Sequence, residues 1–436
     1  MAINKARMAE LRGKSVFPER SAAAEFRFRS QVICLNEFDI AQFEGIADLA
    51  DFGRARSVIS TIFHELTHWS DMVGTIWGRR HLRIVHSALG IVTSLKMAGM
   101  ETQFWKMIAL HDAERRLMFP RYYRVQEGAG KLGTPKDSII DFSGGIEFDT
   151  LGRQNADRPI LFVRFYGSGS FFIRQPFVVG ALLETTAVWS EMKSGFEIAA
   201  TLQNGAGVVE NALIDAELRS LLEDPDLTIY TAPARMVSYF ASISDYRLVY
   251  ELAASLAYLC LNFREREFNK LRVPAIMHVW GRRNDAWKRN MDPAFAFAAI
   301  CVNAGRWSAG STVESWLDGG LKRSGLPSTA VIREAAIVAM TAEDDLPPSS
   351  WTLQGSYLLT AGLASAKARL QGADPSLTMS LAVAEGLPLP PIIDSNCEVG
   401  RLVFSTFDYE KWNPEEMFDV EYQLDGAVAN MLSACR

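Results

Sequence analysis

Between residues 52 and 77 apolar and polar positions alternate with the period of an α-helix. At 100° per residue, Val58, Ile62, Leu66, Trp69, Val73 and Ile76 fall in one arc about 80° wide, a stripe suited to face a core. Ser57, His64, His68, Asp71 and Thr75 lie away from it. The helix therefore has an apolar back and a polar strip of small residues and imidazoles, with few Lys or Arg. Such a strip suits one wall of a cleft. Asp51 stands where an N-cap would, able to accept from the first free backbone amides.

Elsewhere the pattern predicts a strand over residues 25–35, carried by Phe26, Phe28, Val32 and Ile33, and another over residues 160–174. These two are expected to form one small sheet beside the first helix. Helices are expected over 83–97 and 102–119, the second stopping before Pro120. The segment 178–192 is apolar on nearly every side and reads as a buried helix. Beyond residue 200 the reading is almost wholly helical, over 206–223, 233–263, 293–304, 328–342, 354–371 and 415–433. Residues 1–24 look like a polar lead-in, and Leu346-Pro-Pro and Gly386-Leu-Pro-Leu-Pro-Pro391 like connectors. The turn Gly167-Ser-Gly-Ser170 lacks the Lys-Ser/Thr of a phosphate loop. The expected class is α+β, mostly α, divided into a lead-in (1–24), a region with a small sheet (25–200) and a helical C-terminal region (201–436).

Composition adds exclusions more than it adds identity. With 48% hydrophobic and 22% charged residues in 436, the chain is an ordinary globular one, long enough for two domains. A net charge of −6 without a basic cluster argues against nucleic acid. The charged N-terminus lacks the apolar centre of a secretory signal, and no apolar run approaches the roughly 20 residues of a membrane span. Cys34, Cys260, Cys301, Cys397 and Cys435 are dispersed and show no CxxC spacing, which reads as reduced thiols in a cytoplasmic protein.

The chemistry lies in His64-Glu65-Leu66-Thr67-His68. Residues four apart share one helix face, so both imidazoles can reach one ion while Glu65 addresses a water. For this composition the pattern arises by chance on the order of once per hundred chains of this length. It resembles the HExxH helix of the zincin zinc metallopeptidases. The metzincin extension is excluded, because Asp71 stands where its Gly would be and Gly74 where its third His would be.

A catalytic zinc usually takes a third protein ligand. The run around Glu184 resembles the second helix of a gluzincin, which implies Glu184 as that ligand. Independently, a carboxylate inside a buried helix calls for a cation or several donors. Glu191, seven residues on, is a candidate acceptor for a ligand imidazole. The alternatives are a salt bridge from Glu184 to Arg174, or Asp71 as the third ligand, with His81, His86 and His111 weaker candidates. The resemblance implies Zn²⁺ held by His64, His68 and Glu184, Glu65 as general base, and a protein or peptide substrate. Tyr166, Tyr239, Tyr246, Tyr250 and His278 are available as a second electrophile, and spacing selects none of them. The competing expectation is a non-catalytic interaction or scaffold protein on the same frame, with zinc structural or absent.

Overall fold

A computed structural model describes residues 5–12, 23–39, 52–93, 100–127, 132, 138–148, 152–167, 170–203, 205–343, 346, 351–372 and 374–434. Among the described residues the chain is mostly helical, with two small sheets. One sheet has the order β1-β2-β7-β8, from Ala24–Arg27, Val32–Leu35, Ile392–Ile393 and Val399–Gly400. The other has the order β3-β6-β5-β4, from Val125–Gln126, Ser170–Pro176, Gln154–Gly167 and Ser138–Phe148. Residues 25–35 and 160–174 thus belong to different sheets, against the expectation of one. The 25–35 segment is itself a hairpin, turned at Gln31 with φ +61° and closed by Gln31 N–H to Arg27 O at 2.8 Å. Its second strand then pairs in parallel with β7, which follows the Pro-rich connector.

The helices, in chain order, are α1 (Lys5–Arg12), α2 (Phe52–Gly74), α3 (Ile76–Thr93), α4 (Met100–Leu117), α5 (Val179–Ala199), α6 (Ala206–Glu223), α7 (Thr228–Ala241) and α8 (Tyr246–Leu261). They continue as α9 (Glu265–Lys270), α10 (Arg282–Arg289), α11 (Pro293–Ala304), α12 (Val313–Arg323), α13 (Thr329–Thr341), α14 (Thr352–Gln371), α15 (Met379–Glu385) and α16 (Pro414–Ala434).

Three expectations change here. Helix α2 stops at Gly74 rather than running to residue 77. Thr75 Oγ1 donates to Asp71 O at 2.7 Å and accepts from Gly78 N–H at 3.0 Å, so it caps α3. The turn is so tight that a Cβ on Gly78 would lie 2.2 Å from Asp71 O. The expected helix 233–263 is two, broken at Ser242 with φ +58° and restarted by the Asp245 side chain, which accepts from the Arg247 and Leu248 amides. In place of a free lead-in, α1 seats Met8 and Leu11 in the core. Asp51 lies outside the described residues.

Helix α5 sits between the two main hydrophobic cores. Its Val179 and Leu183 join Val58, Ile62, Leu66, Trp69, Leu358 and Phe418, whereas Leu182, Val188 and Trp189 join Phe165, Leu256 and Phe297. The expected boundary near residue 200 falls after α5, and packing runs across it. Helix α14 crosses α2 on small residues. A Cβ on Gly362 would lie 2.1 Å from Val73 O, and the Ser70 and Ser365 hydroxyls are 2.5 Å apart.

This crossing predicts that Gly362→Ala destabilises the protein by about 1–3 kcal/mol, because backbone cannot yield to the added methyl. Gly426→Ala in α16, where a Cβ meets nothing within 4 Å, should be neutral or stabilising. Urea unfolding of both variants checks this, and equal midpoints would contradict it.

Candidate metal centre

Helices α2 and α5 pack closely, and at their contact three side chains converge. His64 Nε2 and His68 Nε2 are 3.2 Å apart. Glu184 places one carboxylate oxygen 3.6 Å from His64 Nε2 and the other 3.3 Å from His68 Nε2. One ligand atom from each residue lies within 4.8 Å of the other two, and all three residues are buried. Ligand atoms bound at about 2.0–2.1 Å around a tetrahedral ion lie roughly 3.3–3.4 Å apart. The His64–His68 separation is close to that edge length, the two Glu184 distances are to different carboxylate oxygens, and two imidazoles with one carboxylate are a borderline-hard donor set. The group can hold a metal ion.

The pieces fall together for local reasons. Four residues on one helix face bring the two rings to 4.9 Å between centroids. On α5 the i, i+7 spacing turns Glu184 and Glu191 to the same side, and Glu191 Oε2 accepts from His64 Nδ1 at 2.9 Å. That contact fixes which nitrogen of His64 points at the cluster. Burial lowers the pKa of His64, but the Glu191 hydrogen bond and the charges of Glu184, Glu191 and Glu65 outweigh it and the pKa is raised. The His68 ring stacks near Phe26 of β1, 6.4 Å away.

Four of the expected alternatives make other contacts. Asp71 faces α14, where Arg369 Nη1 donates to its Oδ1 at 2.7 Å, and Thr186 of α5 donates to its Oδ2 at 2.6 Å. Arg174 donates to Ser143 at 3.1 Å and lies over the Phe162 ring. His86 contacts Trp351 O at 2.9 Å, and His81 stacks on Trp77. His111 is half-buried on α4. Among the candidate electrophiles, Tyr166 packs on Phe171, Tyr239 on Phe240 and Tyr246 under Arg219. Tyr250 is buried, and exposed His278 contacts Val273 O.

The cleft wall is the larger correction. From Ile62 to Thr75 every residue is buried, so the polar strip of α2 faces α5 and α14 rather than open solvent. Small and polar residues are as suited to close helix crossings as to a cleft.

Pattern reading also passed over a buried acid–base cluster beside Glu65. On β1, Glu25 Oε1 accepts from Arg27 Nη1 at 2.8 Å, and Arg27 also donates twice to Glu421 of α16, at 2.9 Å each. Burial, opposed by Arg27 and reinforced by the charges of Glu421 and Glu65, pushes the Glu25 pKa up to about 7. Glu421 lies 394 residues from Arg27, so this half of the cluster leaves no local trace in the sequence.

Comparison of the chain with protein-family models, with curated proteins and with solved structures finds no match.

Two outcomes follow. Asp71→Asn should take up added Zn²⁺ as the wild type does but cost about 3–5 kcal/mol of stability, because it strands the fully buried Arg369 charge. A folded variant with weaker uptake than the wild type would instead make Asp71 a ligand. Glu25 binds its proton more tightly when folded, so its ionisation costs stability as pH rises from 4.5 to about 7. Denaturation across that window should show Glu25→Gln gaining on the wild type as pH increases, and parallel curves would refute the assignment.

Proposed function

We propose that this protein is a zinc-dependent metallopeptidase, in which His64, His68 and Glu184 hold Zn²⁺ and Glu65 is the general base. The observation that carries the proposal is the convergence of the two Nε2 atoms, 3.2 Å apart, with the buried Glu184 carboxylate, one ligand atom of each residue lying within 4.8 Å of the other two. Among the described residues the group has three protein donors, the number in the catalytic form of a zinc site, which keeps one position for water or substrate. When bound, the ion supplies a Lewis acid that polarises a carbonyl and brings the pKa of a water towards about 7.

The chain's own groups do the rest. Glu65, next to His64 in sequence and buried beside it, takes the proton of the attacking water and passes it to the departing amine. Glu191 holds the His64 ring in the orientation that directs Nε2 inward. The frame is read as zincin-like and Glu184 as a gluzincin-like ligand. A peptide substrate is the class that the zincin resemblance implies.

One observation favours the second reading, of a structural ion in a non-catalytic protein. His64, His68 and Glu184 are only 6%, 2% and 1% exposed. Elemental analysis and digestion of a peptide library, read by mass spectrometry, separate the two. The expected result is one zinc per chain in wild type and Glu65→Gln, with cleavage about 10²–10⁴-fold slower in the variant. Zinc without cleavage in either protein supports the structural reading, and full cleavage by Glu65→Gln ends the mechanism.

A further inference from the structure

A cavity of about 420 Å³, within the size range of small-molecule sites, lies between α3, α4, β5, α10 and the N-terminal ends of α5 and α11. None of His64, Glu65, His68 or Glu184 lines it, so it is separate from the candidate metal centre. Phe119, Ile160 and Phe177 give it an apolar side. Elsewhere its wall carries three carboxylates, of Asp112, Glu147 and Asp292, and three guanidiniums, of Arg80, Arg116 and Arg158. Overall charge therefore selects neither a simple anion nor a simple cation.

Most of those charges are met within the protein. Asp112 accepts from Arg158 at 2.7 Å and Glu147 from Arg115 at 2.6 Å, while Arg80 is exposed to solvent. Two groups remain. Asp292 caps α11 with a single oxygen: Oδ1 accepts from the Ala294 and Phe295 amides at 2.9 and 3.2 Å, whereas Oδ2 has no partner among the described residues and is not closed off by packing. Arg116 comes no closer than 3.8 Å to a carboxylate, and does so through Nε; its two terminal nitrogens are unpaired among the described residues and open, on a side chain 36% exposed. Asp292 and Arg116 form no ion pair with each other, yet the charge of Arg116 acts on the Asp292 carboxyl. Burial raises the pKa of that carboxyl from 3.8 to about 6, against the two amides and Arg116, which lower it, so its charge is incompletely compensated. The wall thus holds an acid and a base that feel each other without touching, each with atoms a ligand can reach.

We propose that this cavity binds a free α-amino acid with a large apolar side chain. The ammonium donates to Asp292 Oδ2, the carboxylate accepts from the terminal nitrogens of Arg116, and the side chain packs against Phe119, Ile160 and Phe177. In an α-amino acid the nitrogen and the carboxylate carbon are about 2.5 Å apart, so the dipole fits a short gap between opposite charges. An anion would answer Arg116 and leave Asp292 unmet, and a cation the reverse; the zwitterion answers both. The site stands independently of the proposed peptidase reaction.

Titration calorimetry of the full chain, at a pH above the Asp292 pKa, tests the assignment with L-phenylalanine and with phenethylamine and 3-phenylpropanoate, which each keep one pole. Phenylalanine should bind once per chain and at least about tenfold tighter than either analogue. Asp292→Asn keeps a good N-cap residue on α11 while removing the charge; it should weaken phenylalanine about tenfold and leave 3-phenylpropanoate no weaker. Arg116→Met keeps most of the apolar stem and should weaken phenylalanine to a similar degree while sparing phenethylamine. Absence of saturable binding, or an analogue that binds as tightly as phenylalanine, would overturn the proposal on the wild type alone. So would unchanged phenylalanine affinity in either folded variant, which would place the amino acid elsewhere, the metal centre included.

Discussion

A carboxylate and two imidazoles, all buried, point their lone pairs at one another across the contact of α2 and α5. Glu184 sits in a helix enclosed by two hydrophobic cores, where an uncompensated negative charge is among the most unfavourable groups a protein can bury. A proton shared among the three groups relieves part of that cost. A divalent cation relieves it further, because it meets each lone pair with positive charge.

The support reaches well beyond the two helices. Behind the imidazoles, Asp71 joins α2 to α14 through Arg369 and to α5 through Thr186, so one carboxylate ties three helices together. Arg369 also donates to Pro375 O at 2.7 Å and lies over the Tyr258 ring, which extends the tie to α8. Close approach of α14 depends on Gly362 and on paired serines. The C-terminal half thus braces the candidate metal centre as well as following it in sequence. On the other side, the Glu25–Arg27–Glu421 cluster anchors β1 to α16 and keeps Phe26 against the His68 ring.

Local patterns made the centre legible, and distance along the chain decided what was not. The apolar arc of α2 and the i, i+4 imidazoles depend only on helical geometry, and an acid within an apolar helix marks Glu184 for attention without a partner being known. The same holds for Glu191, one helical period and a turn away. The burial of the polar strip was not legible, because Ser70, Asp71 and Thr75 have the same composition whether they face water or another helix. The sheet pairings were missed for a related reason. β2 finds Ile392 and Ile393 at the far end of the chain, and β4, interrupted by Gly144 and Gly145, lacks a steady alternation. Thr75 looked like a helix residue, yet its side chain ends one helix and starts the next.

An anomalous-scattering map at the zinc absorption edge, from crystals of the purified full chain, tests the central claim most directly. The account predicts a single strong peak coordinated by His64 Nε2, His68 Nε2 and the Glu184 carboxylate, with a non-protein fourth position. No peak at that point, with the imidazoles and the carboxylate hydrogen-bonded to one another instead, would contradict it.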